Sequence, residues 1–233
     1  MTLNHVAIIL DGNRRYARKI GKHPVEGHKY GAEALRKFLK WAAGLSPREK
    51  ERYWARELSL YIFSMQNFNR TKLEIKALMG LFVQAFNELR ESKDVEKLEL
   101  RVDFLGRVNL LPDNVKRAIE RLKEKTNHYT KYKLNFCIAY GGREEIIDAI
   151  NRILKEGKHK RINEEIFSEY LYNSTEPDII IRTGNVIRTS NFMPWQSIYS
   201  EWFFLDKTWP EFTPEDYKRI VEEFYKRERR FGK

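Results

Sequence analysis

Apolar and polar positions group in blocks along this chain, and several of the apolar blocks do not alternate residue by residue. Short, mostly apolar runs fall at 5–10 (HVAIIL), 57–63 (ELSLYIF), 98–105 (LELRVDFL), 132–139 (YKLNFCIA), 178–181 (DIII) and 202–205 (WFFL). Their length and β-branched or aromatic content predict strands. Between them the apolar positions recur at helical spacing. His28 to Ala43 places Ala34, Phe38, Trp41 and Ala42 on one face, and Thr71 to Glu91 sets Leu78, Phe82, Phe86 and Leu89 along one stripe. Thr71 and Glu74 have the spacing of a capping box, and Thr213 with Asp216 resembles another N-cap pair. Pro112 and Pro214 stand where a first helical residue tolerates proline, and Gly157 suits a helix end. Strands apolar on both faces, separated by helices, predict an α/β fold. The expected architecture is a single domain over residues 1–233, a mostly parallel six-stranded sheet flanked by helices. The charged stretch 46–56 (SPREKERYWAR) reads as a surface excursion.

Composition adds a constraint on partners. The 44 Lys+Arg against 33 Asp+Glu leave a net charge of +11, so negatively charged ligands are expected: nucleic acid, anionic lipid or phosphorylated small molecules. The single cysteine, Cys137, lies inside an apolar run and reads as a buried small hydrophobe, pointing to a reducing interior. The first strand begins within a few residues of Met1, leaving no room for a signal peptide. No apolar stretch approaches the roughly 20 residues of a membrane helix. A soluble, cytoplasmic protein is expected.

In an open parallel sheet, ligands bind at the carboxyl ends of the strands. There the first strand delivers Asp11-Gly12-Asn13-Arg14-Arg15 and the second Ser64 to Arg70 (SMQNFNR). The fourth delivers Tyr140-Gly141-Gly142-Arg143, and the fifth Arg182-Thr183-Gly184, with Arg188, Thr189 and Ser190 close behind. Glycines that admit backbone N–H groups and arginines that donate forked hydrogen bonds are the parts of a phosphate cradle. Two cradles suggest two anionic heads. A carboxylate among them, Asp11, is a natural Mg²⁺ ligand, because Mg²⁺ takes one or two carboxylates plus phosphate oxygens. Glu201, at the head of the last strand, is a candidate second ligand. Neither a P-loop, G-x-G-x-x-G nor H-E-x-x-H occurs, which disfavours the nucleotide, dinucleotide and zinc-protease chemistries those motifs carry.

The segments HVAIILDGNRRYA, GHKYG, YIFSMQNFNR, LNFCIAYGGR, PDIIIRTG, SNFMPWQ and the terminal RRFG, in this order, resemble the cis-prenyltransferases, the undecaprenyl and dehydrodolichyl diphosphate synthase family. The DGNRRY form is similar to archaeal and eukaryotic members. The resemblance implies an apolar tunnel beside the sheet, a homodimer and Mg²⁺. It also implies transfer of an allylic prenyl group, from geranylgeranyl or farnesyl diphosphate, to isopentenyl diphosphate with cis geometry, giving a long-chain lipid carrier precursor. By position, Asp11 would hold Mg²⁺ and assist departure of the diphosphate. Gly12, Asn13, Arg14, Arg15, Tyr16 and His28 would cradle the allylic diphosphate. Asn67 falls at the proton-acceptor position, with Ser64, Phe68 and Arg70 around the reacting carbons. Arg182, Arg188, Thr189 and Ser190 would bind isopentenyl diphosphate, and Glu201 would complete the metal site. Arg230 and Gly232 would reach into the partner subunit's site. Because the product is a lipid, the resemblance also implies transient membrane contact, and no nucleic acid partner.

Four positions depart from the family pattern: Pro24 for an arginine, Gln66 for a glutamate, Val186 for another glutamate and Ile187 for a histidine. They leave room for a short-chain or branching (lavandulyl-type) synthase of the same fold. A non-catalytic partner subunit would keep the terminal R-x-G but lose DGNRR, and this chain has both.

Overall fold

The computed structural model describes residues 3–227. Six parallel strands form one sheet: β1 (His5–Ile9), β2 (Glu57–Ser64), β3 (Leu100–Leu105), β4 (Tyr132–Tyr140), β5 (Ile179–Arg182) and β6 (Glu201–Phe204). Their order is β3-β4-β2-β1-β5-β6. Every residue of β1 and β5 is buried, as expected of central strands covered on both faces. From β1 the chain crosses to β2 on one side and returns later to β5 on the other. The two outward paths part between β1 and β5, and a crevice opens at their carboxyl ends.

Nine helices surround the sheet among the described residues: α1 (Asn13–Lys19), α2 (Gly27–Gly44), α3 (Pro47–Tyr53), α4 (Lys72–Arg90), α5 (Lys93–Lys97), α6 (Asp113–Thr126), α7 (Gly142–Glu156), α8 (Glu164–Glu169) and α9 (Pro214–Lys226). The larger core fills the face under α2, α4, α6 and α9. It includes Phe38 and Leu39 of α2, the predicted Leu78–Phe82–Phe86–Leu89 stripe of α4, and Tyr217, Ile220 and Phe224 of α9. Burying such side chains at ~25 cal/mol per Å² is the main force holding helix to sheet. The opposite face is thinner. Ala7, Ile9, Tyr61, Cys137 and Ile180 pack there against Phe192 and Met193 of a loop, with α7 and α8 alongside. Cys137 is fully buried, as its apolar setting predicts.

Three local readings change. The 46–56 stretch is α3, with a Ser46/Glu49 capping box, held to α9 by Arg52 and Tyr53 on Glu222 and by Lys218 on Glu49. Pro112 precedes its helix as the N-cap instead of opening it, whereas Pro214 is the first residue of α9 behind a Thr213/Asp216 capping box. At Thr71 only half the box forms. The Thr71 hydroxyl accepts the Glu74 N–H at 3.3 Å, but the Glu74 carboxylate turns elsewhere.

A polar network lies at the amino-terminal edge of the sheet. His5 Nε2 is 2.8 Å from Ser59 Oγ, and Glu57 accepts from Asn135, Asn173 and Thr175. Burial pushes the His5 pKa below its ordinary 6.5, and burial with the Arg70 charge does the same to His28. Both imidazoles are therefore neutral in the folded chain at a pH where the unfolded chain would bind a proton. Stability is unaffected above about 6.5 and falls as pH drops through that value. At pH 5.5 the loss is up to about 1.4 kcal/mol per histidine. Urea midpoints at pH 7.5 and 5.5 check this; equal midpoints would contradict it.

Candidate active site

Asp11 stands two residues beyond β1, and Arg182 ends β5 one strand away, so the crevice between these strands sets them face to face. The Asp11 backbone is pinned on both sides. Its N–H donates to Thr183 Oγ1 at 3.0 Å, and its carbonyl accepts from Thr183 Oγ1 and from the Trp209 N–H. The side chain is thereby aimed across the crevice. Asp11 Oδ2 accepts from Arg182 Nη2 at 2.9 Å, while Oδ1 accepts the Gly12 N–H at 2.6 Å and lies 3.1 Å from Arg15 Nη2. Arg182 is nearly buried at 6% side-chain exposure. Its other nitrogen, Nη1, donates to the Arg188 carbonyl and to Ser190 Oγ. Arg15 Nη1 donates to the Gly184 carbonyl. Gly184 has φ +93°, and a Cβ there would lie 2.5 Å from Arg15 Nη2, so this turn needs glycine both for its backbone and for the arginine it admits.

These groups line a cleft of about 760 Å³, within the range of small-molecule sites. Asp11, Gly12, Asn13, Arg14, Arg15, His28, Ser64, Asn67, Arg70, Arg182 and Ser190 all border it, so most of the sequence-derived site converges in one place. Asn67 sits in a 3₁₀ turn after β2, and its Oδ1 accepts the Ser64 N–H at 3.0 Å. That bond fixes which end of the amide is oxygen and leaves the NH₂ as the free end, a donor.

Several expected residues lie elsewhere. Tyr16 packs edge-on against Tyr30, and Phe68 against Phe63. Arg188 and Thr189 are exposed, and the Arg188 part in the site is its backbone carbonyl. Gly141 and Gly142 offer no phosphate cradle; a Cβ on Gly142 would strike Pro194 at 1.9 Å, so the glycine admits the 190–194 loop. Glu201 does not join Asp11 within this chain. It opens β6, paired with Ile179, whereas Asp11 lies beyond the far end of β5, about 10 Å of strand away. Glu201 is ion-paired with Arg227. Arg230 and Gly232 lie outside the described residues. Of the departures, Pro24 opens a 3₁₀ turn, Gln66 lines the cleft and Ile187 is exposed.

Sequence reasoning missed three contributors. Arg18 and Asn191 border the cleft, the latter in a loop where Ser190, Asn191 and Met193 all adopt positive φ without being glycine. Such backbone concentrates at functional sites. Glu74, with 7% side-chain exposure, lies 3.2 Å from Arg70, 3.7 Å from Arg14 and 3.5 Å from His28 Nε2, the last without hydrogen-bond alignment. One buried carboxylate thus gathers three basic side chains that border the cleft. The signal was the Thr71-x-x-Glu74 spacing itself, which a capping box shares.

Among the described residues no cluster of three His, Cys, Asp or Glu could hold a metal alone. A lone carboxylate facing arginines fits only a cation whose remaining ligands come with an anionic substrate. Behind the cleft, and sharing Leu10, Asn13, His28 and Ile62 with it, lies an apolar pocket between α2 and α4. Its volume is about 80 Å³, a small apolar pocket where the resemblance implies a tunnel.

A parallel α/β sheet whose switch-point cleft carries one carboxylate, many guanidinium groups and an apolar extension defines an enzyme that handles anionic heads on greasy tails. Residues 9–232 match the family model described as putative undecaprenyl diphosphate synthase. The chain is 47% identical, over 98% of its length and 86% of the relative's, to the tritrans,polycis-undecaprenyl-diphosphate synthase (geranylgeranyl-diphosphate specific) of Thermococcus kodakarensis. Its fold superimposes on lavandulyl diphosphate synthase from Lavandula x intermedia, solved with dimethylallyl diphosphate, at a TM-score of 0.86, 29% identity and coverage of 100% and 99%. It also superimposes on a probable undecaprenyl diphosphate synthase from Campylobacter jejuni at 0.81, 32% identity and 99% of each chain. The chain belongs to the undecaprenyl diphosphate synthase family of cis-prenyltransferases, and it is a prenyl-transferring enzyme.

Proposed function

We propose that this enzyme condenses isopentenyl diphosphate with an allylic prenyl diphosphate, geranylgeranyl diphosphate by preference, to build a long-chain cis-polyprenyl diphosphate. The observation that carries the reading is Asp11 held between Arg15 and Arg182 in a cleft that shares its walls with an apolar pocket. The primer preference is supported by the specificity named for the Thermococcus kodakarensis enzyme.

The wall of Arg14, Arg15, Asn13, His28 and Arg70 takes the allylic diphosphate, and Arg182 with Ser190 takes the other. When the allylic C–O bond breaks, negative charge grows on the departing diphosphate. Fixed guanidinium groups stabilise that charge without reorganising. Mg²⁺, when held by Asp11 together with diphosphate oxygens, supplies Lewis-acid stabilisation of the same charge. The double bond of isopentenyl diphosphate attacks the freed allylic carbon and then loses a proton. Asn67 presents its NH₂ and cannot be the base. Its role is to hold a diphosphate oxygen where that oxygen receives the proton. Replacing Asn67 by aspartate keeps an acceptor for Ser64 but sets a negative charge against the substrate. Turnover is expected to fall roughly 30-fold, and by about tenfold with alanine. Single-turnover rates decide; an aspartate variant faster than the parent would make this residue the base.

The active species is proposed to be a homodimer. Ile147, Ile150 and Leu154 form an exposed apolar stripe on α7, and Ile187, Ile198 and Tyr199 are exposed nearby in sequence to the site loop. Stripes of this kind mark protein contacts. Among the described residues no helix is long and apolar enough to cross a membrane, and transient surface contact suffices to pass on a lipid product. A cytoplasmic location at the membrane's edge follows from that reading.

Labelled isopentenyl diphosphate with Mg²⁺ and C10, C15 and C20 primers, read by chromatography, tests the whole. Long products with the C20 primer most efficient are expected. A branched or single-addition product would favour the lavandulyl-type alternative, supported by the likeness to lavandulyl diphosphate synthase.

A further inference from the structure

Leu10, Asn13, His28 and Ile62 line both the cleft and the pocket between α2 and α4, so on the reading above that pocket is the way open to the tail of a prenyl diphosphate held beside Asp11. That pocket holds about 80 Å³. An engineered cavity of about 150 Å³ admits one benzene, and this pocket has about half that volume, far too little for a polyprenyl chain. No primer enters until its walls part. The inner wall is stiff: Phe86 stacks on Phe82 at 5.8 Å and meets Phe104 edge-on at 4.9 Å, all buried against the sheet. The outer wall is weaker. Leu89 alone belongs both to the pocket and to a groove of about 210 Å³ on the molecular surface between α2 and the end of α4. Over that groove Arg36 Nε of α2 lies 3.1 Å from Glu88 Oε2 of α4. Glu88 Oε1 accepts from Gln84, but Oε2 has no aligned hydrogen bond. The two side chains are 48% and 38% exposed. Glu88 Oε2 itself is covered beneath these partly exposed side chains, and an imperfectly aligned pair so near the surface is weak enough to open.

We propose that Arg36 and Glu88 form a latch across the distal end of the chain-binding channel, and that this latch limits product length. Closed, it holds α2 against α4 over Leu89. Open, it lets the far end of the growing chain slip past Leu89 onto Leu39 in the outer groove. The aliphatic stems of Lys37 and Lys40 cover the chain there while their charges stay in water. The inference rests on the polyprenyl reading above. It assigns specificity to two residues that touch neither diphosphate.

The test compares Arg36→Ala, Glu88→Ala and the charge-swapped pair Arg36→Glu/Glu88→Arg. Each single variant is expected to lengthen the main product by one or more isoprene units, with the rate of first addition within twofold of the parent. The swapped pair restores the parental distribution, which a merely structural role would not predict. A readout independent of turnover is direct binding. Undecaprenyl monophosphate should bind at least threefold more tightly to the single variants, while geranylgeranyl monophosphate binds as before. Unchanged product length and unchanged undecaprenyl affinity in both single variants would overturn the latch, as would a swapped pair that behaves like the single variants. If the parent performs no first addition, the functional reading fails, and the binding comparison still decides the latch.

Discussion

Replacing Asp11 by asparagine is expected to lower turnover by about 10³-fold while the chain remains folded, because one missing electrostatic stabiliser of this kind costs about 10²–10³. The substitution keeps the shape of the side chain and an oxygen for the Gly12 N–H. It removes the charge that holds a cation against the diphosphates, and the anion that Arg15 and Arg182 share. The two guanidinium groups are then free to close directly on phosphate oxygens. Inorganic diphosphate without Mg²⁺ should consequently bind the variant at least as tightly as the parent, and added Mg²⁺ should no longer strengthen binding. Calorimetric titration with and without Mg²⁺, beside steady-state rates, separates this from simple loss of affinity. Turnover within tenfold of the parent, or a Mg²⁺ response left intact, would remove Asp11 from the centre of the mechanism.

The fold was legible wherever burial dictates composition. Strands covered on both faces are apolar throughout, as β1 and β5 are, while the partly exposed edge strands β3 and β6 showed by their aromatic and β-branched content; all six have ends within two residues of those observed. The long helices showed because one face packs on that sheet. Short polar helices did not: α3, α5 and α8 bury little and are held by contacts far away in sequence, such as Arg52 with Glu222. The site divides the same way. Asp11, Arg15, Arg70 and Arg182 follow directly from which residues stand at strand ends. Asn191 was invisible because positive-φ loops leave no periodic trace. Glu201 does head the last strand, as the sequence suggests, but within this chain it stands apart from Asp11. In a parallel sheet the head of a strand lies on the edge away from the ligand.

That contrast extends to the electrostatics of the cleft. An excess of positive charge alone would predict a sticky basic surface for any anion. Instead, two buried or half-buried carboxylates divide the arginines into two groups, Arg15 and Arg182 about Asp11, and Arg14 and Arg70 about Glu74. Each carboxylate orients its guanidinium groups before any substrate arrives, and preorganisation of this kind lowers the reaction barrier more than raw charge does.

Glu74→Gln separates the two contributions. The amide keeps the volume but leaves Arg14, Arg70 and the neighbourhood of His28 without their anion. Breaking a buried pair costs about 3–5 kcal/mol. With Arg14 and Arg70 at 43% and 27% side-chain exposure, solvent screening reduces this to about 2 kcal/mol. For a chain of this size that is a fall in melting temperature of roughly 4–8 °C. Inorganic diphosphate brings the missing negative charge, so much of the deficit should disappear when it is added. Turnover is expected to fall about 10²-fold, because the arginines no longer stand where the departing diphosphate develops its charge. The Michaelis constant for the allylic substrate should stay level or drop, since the unpaired guanidinium groups attract anions more strongly than before. Differential scanning fluorimetry with and without diphosphate, set beside steady-state kinetics, reads all three quantities. A rise in the Michaelis constant with turnover preserved would make Glu74 a contributor to affinity alone, and orientation of Arg14 and Arg70 would then have to come from the substrate itself.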